Sequence, residues 1–151
     1  SAEYGLWFIA TSAGFMLGNF ITSRTSQRYG VDRLIAIGIA LLLIGSVLTI
    51  ATVAAFPDGG PWTLFVPQLA ISLGNGIFLP NCVAGAVSVR PQAAGTASGI
   101  TGFMQMSTGA VAAQGMSHII ATATSAMPLA LAMGACSAAA GLAYVAFLRR
   151  R

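Results

Sequence analysis

I-A-I-G-I-A-L-L-L-I-G-S-V-L-T-I-A-T-V-A-A, Ile35 to Ala55, decides the fold. The run carries no charge and is apolar on every side rather than alternately. A membrane barrel is built from short segments that alternate apolar and polar. A helix surrounded by lipid and other helices reads instead as this stretch does. One crossing takes roughly 20 apolar residues, and the run supplies that length.

The rest of the chain repeats the pattern. Tyr4–Ser23 and Pro61–Val89 are free of charge, and Pro91–Leu148 holds no Asp, Glu, Lys or Arg and a single histidine, His118. That last block is too long for one crossing, and the polar, proline-bearing stretch Thr122–Pro128 divides it. Five spans are predicted, at about 4–23, 34–56, 61–89, 94–121 and 127–148. The fold class is an all-α membrane protein with one transmembrane domain over residues 1–151. Composition agrees. Only 7% of the residues are charged, against roughly 25% in soluble domains, and mean hydropathy is +0.83. The lipid bilayer is the expected partner.

A net charge of +4 suggests nucleic acid until the positions are inspected. All seven basic residues are arginines, grouped at Arg24, Arg28 and Arg33, at Arg90, and at Arg149 to Arg151. With five spans these three places share one side of the membrane, while the other side carries Glu3 and Asp58. By the positive-inside rule the arginine side, and with it the C-terminus, is cytoplasmic. No nucleic-acid partner is predicted. The N-terminus then lies outside without a cleavable signal ahead of it. An odd number of spans and a first residue Ser1 suggest missing upstream spans or a trimmed chain.

Several local features have a physical reading. Gly30 suits the left-handed residue that ends a helix, and Asp32 suits the start of the next. The loop from Thr22 to Arg33 reads either as a turn with membrane-surface arginines or as a conformational switch. Pro61 fits a first helical turn, and Trp62 fits the interfacial aromatic belt. Pro67 and Pro80 each remove a backbone donor from the third span, with G-N-G at Gly74 to Gly76 between them and Asn81 following. Such a helix either lines a cavity or is kinked and structural, its freed groups taken up by neighbours. Gly14 and Gly18, then Gly95 and Gly99, form G-x-x-x-G pairs, and Gly102 and Gly109 extend the second set. These are read as faces where helix backbones approach closely. Gln105 and Gln114 are candidates for a polar lining or for interhelical hydrogen bonds.

Other chemistry has no signature. The chain has no lysine and no Walker-type loop, so nucleotide-driven transport is not encoded in it. No carboxylate lies deep in a span, where a proton relay would need one. Ser98 and His118 lie roughly 30 Å apart on one predicted helix, too far for a catalytic dyad, and no enzyme is predicted. Cys82 and Cys136 lie in apolar spans outside any metal-ligand cluster. No metal and no cofactor is expected.

Three stretches resemble a known family. G-N-F-I-T-S-R-T-S-Q-R-Y-G-V-D-R, Gly18 to Arg33, looks like the second-half copy of the basic loop motif of the major facilitator superfamily. G-N-G-I-F-L-P-N, Gly74 to Asn81, resembles its glycine-and-proline tenth helix, and P-Q-A-A-G-T-A-S-G-I-T-G-F, Pro91 to Phe103, resembles the entry to its eleventh. The likeness is to Bcr/CflA-like drug:proton antiporters, with this chain as helices eight to twelve of twelve. The basic loop departs from the pattern in lacking the acidic residue before the arginines, with Thr25 to Gln27 there.

The resemblance implies part of a secondary transporter in a bacterial inner membrane. It would export small molecules against proton entry by alternating access, with helix seven and the N-terminal half as missing partners. It places Asn75, Asn81, Phe103 and Gln105 at a substrate cavity and makes Arg24, Arg28 and Arg33 cytoplasmic loop contacts. An importer or metabolite exporter of the same superfamily, or a non-transporting membrane subunit, is the alternative.

Overall fold

The computed structural model describes residues 2–57, 59–88, 91–122 and 126–148. Five helices account for nearly all of them: α1 Ala2–Tyr29, α2 Val31–Ala55, α3 Trp62–Ser88, α4 Ala94–Thr122 and α5 Met127–Leu148. A short 3₁₀ turn, Pro91–Ala93, precedes α4. By length and apolarity α1, α2, α3 and α5 each suffice to cross a membrane. α4 has the length at 29 residues. Its apolarity is diluted by polar side chains such as Thr101, Gln105, Gln114 and His118. The chain is an integral membrane protein.

α3 is the hub, packed between α1 and α2, and α2 turns its other flank to α5. α4 touches α3 and α5 only lightly, and none of its described side chains is buried.

Packing around α3 is set by missing side chains. A Cβ placed on Gly18 would lie 2.5 Å from the Leu73 carbonyl and 2.9 Å from Gly76 Cα, and one on Gly76 would strike the Phe15 carbonyl. α1 and α3 therefore meet backbone to backbone. On the opposite side, a Cβ on Gly74 would come within 3.0 Å of the Gly38 carbonyl, and one on Gly38 within 2.8 Å of Phe78 Cβ. Residues 74 and 76 lie about 200° apart around a helix of 3.6 residues per turn. The two glycines of G-N-G thus serve opposite neighbours. Small-residue contacts of this kind hold membrane helices together through van der Waals packing, because lipid supplies no hydrophobic drive.

α3 runs unbroken through both prolines. Pro67 has no N–H for the carbonyl of Thr63, four residues earlier. The hydroxyl of Thr52 on α2 reaches that carbonyl at 2.6 Å, while also lying 2.9 Å from its own helix's Leu48 carbonyl. A neighbouring helix thus takes up the group that the proline frees.

α1 extends beyond the predicted end of the first span, through Tyr29. Thr22 to Tyr29 contains neither glycine nor proline, and the hydroxyls of Ser23 and Thr25 bond back to the carbonyls of Phe20 and Ile21. Gly30 alone joins α1 to α2, at φ 80° and ψ 156°. The positive φ favours glycine as expected, but ψ is extended rather than left-handed helical. At the opposite end Trp62 begins α3 and leans on Phe56, ring centres 5.4 Å apart. There Trp7 of α1 also stacks on Phe65 of α3 at 5.7 Å.

Candidate functional site

The four cavity candidates do not converge on one point. Asn75 projects from α3 midway between the directions of Gly74 and Gly76, toward α5. It lines a cavity of about 330 Å³ between α2, α3 and α5. Gln68 lies on the same face of α3, seven residues or nearly two turns earlier, and lines the same space. Ser46 of α2 and Ser137 of α5 close another side, their hydroxyls 2.7 Å apart. Met133, Cys136 and Phe78 supply softer walls. The cavity is small, with amide and hydroxyl groups and no charge.

Asn81 faces elsewhere. It is only 1% exposed, and its amide donates to the Ile77 carbonyl at 2.7 Å and toward the Thr22 hydroxyl of α1 at 3.4 Å. In this chain it ties α3 to α1. Phe103 is 73% exposed, and Gln105 is exposed on the same helix, α4. Both stand outside the Gln68–Asn75 cavity.

The described arginines fall at one end of the bundle. Arg24 and Arg28 occupy the last turns of α1, one helical turn apart, and Arg33 the first turn of α2. The Arg24 guanidinium lies 5.2 Å from the centre of the Phe20 ring. Tyr144, near the end of α5, donates to the Asp32 backbone carbonyl at 3.0 Å, which brings the end of α5 to the start of α2. Arg90 and Arg149 to Arg151 lie outside the described residues, as does Asp58.

The glycine candidates divide. Gly14 and Gly18 pack against α3, with the Leu69 carbonyl 3.4 Å from a Cβ built on Gly14. Beside Gly95, Gly99, Gly102 and Gly109 there is open space. Gly38, Gly45, Gly74 and Gly76 are the close-approach positions that sequence reasoning did not assign to packing. Their signal was present as spacing: Gly38 and Gly45 are seven residues apart, on one face of α2. Gln68 was missed too, although it shares the face of Asn75 at the same seven-residue interval.

Ser98 and His118 both lie on α4, in the order expected. Cys82 and Cys136 are free thiols.

Comparison with known proteins gives one further finding. Over 144 residues the chain is 26% identical to a protein of Haemophilus influenzae described as "Bicyclomycin resistance protein homolog". The match takes in 94% of this chain and 35% of that protein, so the chain spans about a third of the length of the curated relative it matches. No family model matches the chain, and no solved structure gives a significant match. With 94% of the chain matched, the match runs through the basic loop, the G-N-G helix and the α4 entry alike, and the chain is accordingly a homologue of this Haemophilus influenzae protein.

Proposed function

We propose that this chain is part of a secondary active transporter that expels drugs or other small amphipathic compounds in exchange for protons, by alternating access. The observation that carries the reading is the match of 94% of the chain to a protein described as "Bicyclomycin resistance protein homolog". The architecture supports it physically. α1, α3 and α2 meet through close glycine contacts, the packing that a unit rocking as one body would use. Beside it, Gln68 and Asn75 offer uncharged hydrogen-bonding groups among apolar walls, the mixture that small-molecule sites use.

In this reading α4 is the fifth crossing, with Phe103 and Gln105 on a surface turned toward the rest of the transporter. Gly95, Gly99, Gly102 and Gly109 provide the close-approach face for it. Asn75 lines the substrate path and Asn81 fixes the wall behind. The arginine end and the C-terminus are cytoplasmic, in a bacterial inner membrane, and the coupling carboxylate is supplied by the partner segments. An importer or metabolite exporter would share all of this architecture, since fold does not select a substrate.

Efflux by cells carrying the full-length parent protein tests the proposal. Asn75→Ala and Gln105→Ala are expected to lower efflux of at least one substrate with normal protein levels. Unchanged transport of every substrate overturns the lining assignment. Reconstituted alone in liposomes, the 151-residue chain is expected to carry out no proton-dependent uptake, and such uptake overturns the partial-transporter reading.

A further inference from the structure

At the arginine end a groove of about 820 Å³ separates α3 from α5, with α2 as its floor. Its lining is sorted by depth. Asp32, Arg33, Ser88 and Tyr144 stand at the mouth, near the ends of their helices. Farther down the lining turns to Ile39, Phe78, Cys82 and Ala140. From Ser88 to Phe78 the wall descends ~15 Å at 1.5 Å per residue. That is about one leaflet of a hydrocarbon core ~30 Å thick. Phe78 and Ala140 also border the Gln68–Asn75 cavity, so the apolar part of the groove stops where the polar cavity begins.

We infer that this groove seats one phospholipid with an anionic headgroup. Its phosphate meets Arg33, and its acyl chains run past Ile39 and Cys82 to end at Phe78 and Ala140. Depth selects a lipid over a compact solute: a polar mouth above an apolar shaft one leaflet deep matches the amphiphile that surrounds the protein. Charge selects the headgroup. Arg24, Arg28 and Arg33 share this end with Asp32 as the one carboxylate among the described residues there. A cluster of arginines at a membrane surface favours anionic lipid. The inference rests on the membrane placement and not on transport.

Native mass spectrometry of the purified chain in detergent, titrated with phosphatidylglycerol or phosphatidylcholine of identical acyl chains, tests it. A preference of about fivefold for phosphatidylglycerol is expected from one arginine at the headgroup. Arg33→Gln is expected to bring the two lipids to equal affinity. Gly85→Leu projects into the groove, where a Cβ meets only Val31 Cγ1 at 3.7 Å. It is expected to weaken both lipids about tenfold while leaving the helical circular dichroism intact. Ala140→Leu fills the deep end independently and is expected to act in the same sense. Soluble glycerol phosphate at millimolar concentration is expected to displace nothing. Equal affinity of the unaltered chain for the two lipids overturns the inference. So does full lipid binding by both filled variants, and displacement by glycerol phosphate would show a soluble-phosphate site instead.

Discussion

α3 and α4 contain similar glycines and use them in opposite ways. A Cβ on Gly74 or Gly76 of α3 runs into a neighbouring helix, as one on Gly38 of α2 or Gly18 of α1 runs into α3, whereas Gly95, Gly99, Gly102 and Gly109 of α4 have nothing within 4 Å. In sequence the two sets look alike: small residues at helical spacing in apolar company. The difference is whether a partner surface is present. Around α3 the partners are α1 and α2, and the contact is already made. α4 carries polar and bulky side chains such as Gln105 and Phe103 on an unburied helix, so its small residues are available rather than used. A glycine stripe therefore shows a capacity for close approach, and only the surrounding backbone shows whether it is met.

The largest effect should come from filling the α2–α3 contact. Gly38→Leu places a side chain against Phe78 Cα and N, each 3.0 Å from the first added carbon. It is expected to cost about 3 kcal/mol or more, as overpacking does where no flexible neighbour can yield. Reversible unfolding in mixed detergent micelles, followed by circular dichroism, would measure it. Next comes the proline site. Thr52→Val leaves the Thr63 carbonyl without the hydroxyl that reaches it and is expected to cost about 1–2 kcal/mol. Pro67→Ala restores a backbone donor, so Thr52→Val in that background should cost distinctly less. Additive losses in the double-mutant cycle would break the link between the two residues.

Smaller effects sharpen the contrast between the two asparagines. Asn81→Ala removes the amide that faces Thr22 and is expected to cost about 1 kcal/mol, read from the same unfolding experiment. Asn75→Ala should leave stability within about 0.5 kcal/mol. A similarly small effect is expected at the α2–α5 seam, where Ser137→Ala removes a 2.7 Å contact with Ser46. Its expected cost is about 0.6 kcal/mol.

Much of this fold was legible because lipid leaves so few backbone arrangements. Ile35 to Ala55 could be read as a membrane helix on length and apolarity alone, and α2 occupies that run. Helix ends were less legible. The first span was expected to stop near residue 23, where the apolar residues stop, but hydrogen bonding continues the helix to Tyr29. Hydropathy marks the membrane, and helix termination follows glycine and capping chemistry. The site was the least legible. Asn75 and Asn81 are six residues apart, about 600° of helix rotation or 120° after whole turns. They therefore face different neighbours, α5 and α1, despite sharing one motif. Gln68 went unnoticed because a single glutamine in an apolar run carries no signal until a helix face is assigned.

The central claim is that Gly74 and Gly76 of α3 are engaged and the α4 glycines are open. Matched Gly76→Ala and Gly109→Ala substitutions in this chain, compared by reversible unfolding, test it most directly. Gly76→Ala is expected to lose about 1–3 kcal/mol, since its new carbon meets Phe15 and Gly18 backbone. Gly109→Ala is expected to lose nothing, or to gain up to about 1 kcal/mol from helix propensity. Equal losses at the two positions would contradict the account.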